Sequence, residues 1–178
     1  GFDLDDIFLD KLPPVRALDR EGREIRVMRS RPTYAELLAF KDRLANNVMG
    51  QRLKIRAVLY SRQIRPEIAP LLELVDTVLF WTWDGKDISK LRTNFEAYRK
   101  FLPTKETLLG IYMWDFGAHE PLSREIMETQ LAFALEKFKA GEIQGVIFHC
   151  TPLVNKNLEA VEYCRSWLEQ HGHETRRK

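Results

Sequence analysis

Leu53-Lys54-Ile55-Arg56-Ala57-Val58-Leu59-Tyr60 and Thr77-Val78-Leu79-Phe80-Trp81-Thr82-Trp83, with a helical stretch over residues 66–75 between them, decide how this chain folds. In Ala57-Val58-Leu59-Tyr60 both parities are apolar, the pattern of a strand covered on both faces. Parallel strands need a crossover connection, and the intervening helix supplies one. The pattern then repeats. β-rich runs at 107–113 and 145–150 alternate with helical stretches at 88–101, 123–140 and 157–170. In the second of these, Ile126, Met127, Leu131, Ala134, Leu135 and Phe138 recur at three- and four-residue spacing, Ser123 caps the start and Gly141 stops it. Val146-Ile147-Phe148 is again apolar on both parities, so it too is expected to be covered on both faces. Alternating βα units make a parallel sheet and an α/β fold.

Upstream of this region, residues 2–6 read as the end of another strand. Residues 9–32 hold Pro13, Pro14, Gly22 and Pro32 and read as a long loop with room for a small hairpin. Thr33 is expected to cap a helix that runs through Val48, with Tyr34, Leu37, Leu38, Lys41 and Leu44 on one core-facing stripe. The total is five strands and five helices in one domain over residues 1–178. Two architectures share that pattern: an open doubly wound sheet, or the last five units, strands 4–8, of a TIM (β/α)8 barrel. They differ in strand order, sequential in the barrel and reversing at a switch point in the open sheet. Because the chain opens at Gly1 inside what reads as a strand end, it is expected to be a fragment, with the N-terminal half of the barrel missing.

Composition narrows the function classes. Of 178 residues, 44% are hydrophobic and 30% charged, and 28 Lys+Arg against 26 Asp+Glu give a net charge of +2. These charges are spread along the chain, so nucleic acid is not an expected partner. The longest apolar runs fall far short of the roughly 20 residues that span a bilayer, so no membrane partner is expected either. Two cysteines cannot build a disulfide scaffold or a four-cysteine zinc site. No Gly-x-Gly-x-x-Gly or Gly-x-x-x-x-Gly-Lys run follows a strand, and no cofactor is expected.

The predicted strand ends carry the chemistry. The first ends in Asp3, Asp5 and Asp6, the second in Tyr60, Arg62 and Gln63, the third in Trp81, Trp83 and Asp84, the fourth in Tyr112, Trp114 and Asp115, and the fifth in His149 and Cys150. Aromatic faces beside carboxylates suit a sugar, whose C–H faces stack on indole while its hydroxyls bond to Asp, Gln and His. Each residue also has a plain structural reading: Trp81 and Trp83 as core, Asp84 and Asp115 as helix caps, His149 as a packed rim residue, Cys150 as a small buried side chain. Three carboxylates within Asp3–Asp6 repel one another, which raises at least one pKa and suits a general acid. A metal reading of these carboxylates with His149 lacks ligand spacing, and no metal site is assigned.

Gly1-Phe2-Asp3-Leu4-Asp5-Asp6-Ile7-Phe8 resembles the fourth-strand end of (β/α)8 glycoside-hydrolase-like proteins. Leu59-Tyr60-Ser61-Arg62-Gln63-Ile64, Phe80-Trp81-Thr82-Trp83 and Gly110-Ile111-Tyr112-Met113-Trp114-Asp115-Phe116-Gly117 resemble an uncharacterised bacterial group in that superfamily. The opening is also similar to the family 18 chitinase run Asp-Gly-x-Asp-x-Asp-x-Glu, with Asp3 and Asp5 matching its last two aspartates. Ile7 stands where that family has its acidic glutamate, so the substrate-assisted acid is not carried over. The resemblance implies a carbohydrate-active barrel, a glycoside hydrolase pairing Asp5 or Asp6 with Asp115 across the barrel mouth. Asp3, Tyr60, Gln63, Trp81, Trp83, Asp84, Tyr112, Trp114 and His149 would bind the sugar. A catalytically inactive glycan-binding or scaffold barrel, and an unrelated open α/β ligand-binding domain, are the alternatives.

Overall fold

The computed structural model describes residues 2–4, 8, 12–29, 31–46, 50, 52–82 and 84–175. In chain order its elements are β1 (Phe2–Leu4), β2 (Leu12–Leu18), β3 (Glu24–Arg29), α1 (Tyr34–Ala45), β4 (Ile55–Tyr60), α2 (Ala69–Leu74), β5 (Thr77–Trp81), α3 (Leu91–Phe101), β6 (Glu106–Tyr112), β7 (Trp114–Asp115), β8 (Glu120–Pro121), α4 (Arg124–Lys139), β9 (Gly145–His149) and α5 (Glu159–His171). One-turn and two-turn 3-10 segments precede α2 and α3 at Pro66–Ile68 and Gly85–Lys90.

Strands β1, β4, β5, β6 and β9 form one parallel sheet in that order. Among the described residues the order runs one way, without the reversal a doubly wound sheet needs. The protein is therefore α/β, with a parallel sheet built from sequential βα units.

The expected loop 9–32 is largely a hairpin of β2 and β3. Its turn closes on Asp19, whose Oδ1 accepts the N–H groups of Glu21 and Arg23 at 3.0 and 2.9 Å, with Gly22 at φ 79°. The β2–β3 register slips between Leu12 and Val15, where Pro13 and Pro14 have no N–H to give to a ladder.

Helix α1 starts in a capping box: Thr33 Oγ1 accepts the Glu36 N–H at 3.2 Å and the Glu36 carboxylate accepts the Thr33 N–H at 2.8 Å. Its buried stripe is narrower than the sequence pattern predicts. Leu37 and Leu44 are buried and Phe40 packs partly against the core, whereas Tyr34 is 48% exposed and Leu38 37%. Positions 37, 40 and 44 follow a single seam, and Tyr34 and Leu38 lie just off it.

Strand β5 is buried along its whole length. Phe80 stacks on Tyr98 at 4.5 Å between ring centroids and meets Phe95 edge-on at 6.0 Å. The Tyr98 hydroxyl lies 2.6 Å from Thr107 Oγ1, and burial pushes its pKa up to about 12. Lys137, nearly buried, sits 5.5 Å from the Phe133 ring centroid and pairs with Glu142 at 2.9 Å, so its ammonium stays compensated.

One expectation is overturned at the sheet's far side. Val146, Ile147 and Phe148 of β9 are half-buried, not covered on both faces, and His149 is exposed. The physical reason is position: β9 has β6 on one side and no strand on the other among the described residues.

Candidate functional site

The predicted functional residues gather where the parallel strands end. Register places Tyr60 beside Trp81 and Tyr112 beside His149. Between β5 and β6 the last pair is Phe80 with Leu109, so Trp81 falls opposite Gly110. The indole lies directly on that glycine: a Cβ added there would collide with Cδ2 and Cε3 of Trp81. Packed in this way, Trp81 is 6% exposed. Of the two sequence readings of Trp81, core packing and sugar stacking, this burial fits the first; the ring is a wall of the rim.

Against this wall the rim aromatics assemble. Trp81 lies 4.8 Å from Tyr112 and 5.9 Å from His149 between ring centroids. Phe116 closes the group at 5.6 Å from Tyr112 and 5.2 Å from His149. Trp114, in the β7–β8 ribbon, is half-exposed. Tyr60 is buried at the end of β4, with the Arg62 guanidinium 5.6 Å from its ring centroid.

Two glutamines hold strand ends in place. Gln63 Oε1 accepts the Tyr60 N–H at 2.8 Å. Its Nε2 is buried with no hydrogen-bond partner among the described residues. The Met113 N–H goes to the His149 carbonyl at 3.1 Å, so by strand alternation the Tyr112 backbone faces the β5 side, where pairing has already stopped. Gln130 of α4 supplies what is missing. Its Oε1 accepts the Tyr112 N–H and its Nε2 donates to the Tyr112 carbonyl, both at 3.1 Å, from a side chain only 1% exposed.

Asp84 and Asp115 sit on adjacent loops that follow β5 and β6. Asp115 Oδ1 accepts the N–H groups of Gly117 at 2.8 Å and Ala118 at 3.1 Å, and its Oδ2 packs against Gly85 where a Cβ would otherwise stand. Partial burial pushes the Asp115 pKa up, but the N–H groups of Ala118, Gly85 and Gly117 and the nearby Lys86 charge outweigh it and hold the carboxyl below its ordinary range. Asp84 mirrors the arrangement. Its Oδ1 lies 2.7 Å from where a Gly117 side chain would begin, and its Oδ2 pairs with Lys86 at 3.0 Å. Lys86 is held protonated above its usual pKa by its hydrogen bond to Asp84 and by the charges of Asp84, Asp87 and Asp115.

Asp5, Asp6 and Trp83 lie outside the described residues, as does the side chain of Asp3, whose backbone pairs with Arg56 in β1. Tyr60, Gln63, Trp81, Asp84, Tyr112, Trp114, Asp115 and His149 all lie at or just beyond strand C-termini. Sequence reasoning passed over Phe116 and Gln130. The signal for Gln130 was available: it sits between Met127, Leu131 and Ala134, an amide on an otherwise apolar helix face. Among the described residues no group of three or more His, Cys, Asp or Glu gathers as metal ligands, and no helix is long and apolar enough to cross a membrane. The Cys164 thiol is pushed up to about 12 by burial, which makes it a packing residue. Compared with protein-family models and with curated proteins, the chain matches none.

Proposed function

We propose that this is a carbohydrate-active protein whose sugar site is the rim at the C-terminal ends of β4, β5, β6 and β9. The observation that carries the reading is the convergence of Phe116, His149 and the half-exposed Trp114, backed by the buried Tyr112, beside the carboxylates of Asp84 and Asp115. Aromatic C–H stacking with flanking acceptors is the chemistry by which protein surfaces hold pyranose rings. At the level of fold, we read the five strands as the fourth to eighth of a (β/α)8 barrel. Their one-way order and the half-exposed β9 support this, since in such a barrel a further strand would cover that edge.

Glycosidic cleavage in such a site would take two carboxylates, with Asp5 or Asp6 as general acid and Asp115 as the ionised partner. The experiment is kinetic: Asp5→Asn, Asp6→Asn and Asp115→Asn assayed on aryl glycosides and oligosaccharides in a protein with the complete barrel. Loss of about 10²-fold or more in kcat at one of the pair and at Asp115, with binding kept, supports hydrolysis. Trp114→Ala should weaken oligosaccharide binding and leave the fold intact; unchanged binding would remove Trp114 from the site. A second reading, glycan binding without hydrolysis, is favoured by one observation. Both Asp115 oxygens already meet backbone of the two loops, which leaves little of the carboxylate for a sugar or a water.

A further inference from the structure

The loops after β5 and β6 are joined by two reciprocal aspartate–glycine contacts. Asp115 of the second loop packs on Gly85 of the first, and Asp84 of the first packs on Gly117 of the second. Each contact needs its glycine, because a Cβ at Gly85 would overlap the Asp115 carboxylate and one at Gly117 would stand 2.7 Å from Asp84 Oδ1. The Asp115 carboxylate also closes its own loop through the Gly117 and Ala118 N–H groups. Phe116 lies inside that closed loop, between the aspartate and the glycine, and its ring rests on His149 and Tyr112. Lys86 sits over the junction, paired with Asp84 and within the field of Asp115.

We infer that Asp115 is a positioning residue: it latches the β6 loop onto the β5 loop and so fixes Phe116 on the rim where ligand binds. This rests on the rim being the sugar site, and it gives Asp115 a role through Phe116 in addition to the one it would have in cleavage. The latch is kept closed by ionisation, since a protonated carboxyl would accept the backbone N–H groups less well. It also makes Gly85 a functional position although it carries no side chain.

The test compares Gly85→Ala, Gly117→Ala and Asp115→Asn in the full chain, by hydrogen exchange at the Gly117 and Ala118 amides and by affinity for chito- and cello-oligosaccharides. Gly85→Ala keeps every carboxylate and opens the latch from the opposite loop. Asp115→Asn keeps an acceptor for Gly117 and Ala118 but turns an amide donor toward the Gly85 N–H. Both should speed exchange at the two amides by about tenfold or more. Both should weaken oligosaccharide binding by a similar factor, and Gly85→Ala should raise KM with kcat and its pH profile unchanged wherever turnover is detected. Gly117→Ala should follow them, which keeps the result readable if one variant folds poorly. Unchanged exchange in Gly85→Ala and Gly117→Ala would overturn the latch. Faster exchange with unchanged affinity would overturn its positioning role. Binding lost in Asp115→Asn but kept in Gly85→Ala would place Asp115 directly on the ligand. A wild-type protein that binds none of the oligosaccharides defeats the rim reading, and the exchange rates then judge the latch by themselves.

Discussion

A methyl group on Gly110 would occupy the space of the Trp81 indole, so the pair is sterically matched. Gly110→Ala should force the indole out of its seat and cost about 1–3 kcal/mol of stability, as overpacking of a close-packed core does. The denaturation midpoint and the near-ultraviolet tryptophan dichroism should both move, and a silent substitution would mean that the ring does not rest there. Asp115 gives a second expectation at this scale. Its folded-state pKa is depressed, so its contribution is complete above the unfolded value of about 3.9 and is lost as pH falls through the folded value. Urea midpoints measured from about pH 5 downward should fall less steeply in Asp115→Asn than in wild type; parallel curves would show that the carboxylate does not titrate with folding. Residue types at the strand ends were readable from sequence, because a strand followed by a helix places its last residues on one edge. What Trp81 does there was not readable, since its burial depends on a glycine in the neighbouring strand, 29 positions along the chain by register.

The helices show which local signals suffice. Thr33 and Ser123 stand as N-caps where they were expected, because a hydroxyl meeting an N–H three residues on is decided within one turn. The 3-10 starts before α2 and α3 and the β7–β8 ribbon were not foreseen; they depend on how the chain leaves the sheet. Gln130 is the element-scale contact with the largest predicted effect. Gln130→Met keeps volume and apolar packing but strips partners from the buried Tyr112 N–H and carbonyl, at roughly 1–3 kcal/mol for a buried group left unsatisfied. Protein stability should fall by that order, and exchange at the Tyr112 amide should quicken. If stability holds and Tyr112 stays protected, another group must take over both bonds.

At the scale of the molecule, periodicity alone left two architectures open, because both bury the same apolar strands behind the same helices. Pairing order, which runs one way among the described residues, is a long-range property that no single stretch encodes. The half-exposed β9 carries a prediction here. A sheet edge of apolar, partly exposed residues invites strand addition, so the 178-residue chain should self-associate with rising concentration in sedimentation velocity. A monomer at every concentration, unfolding in one cooperative step, would show that this edge is protected. The one-way order has a further consequence for synthesis. From β4 onward each strand of the sheet pairs with the sheet strand made just before it, so a nascent chain can add these strands in the order they leave the ribosome. A chain released after Gly141 would still hold β1, β4, β5 and β6 but would leave β6, buried from Leu109 to Tyr112, as its edge.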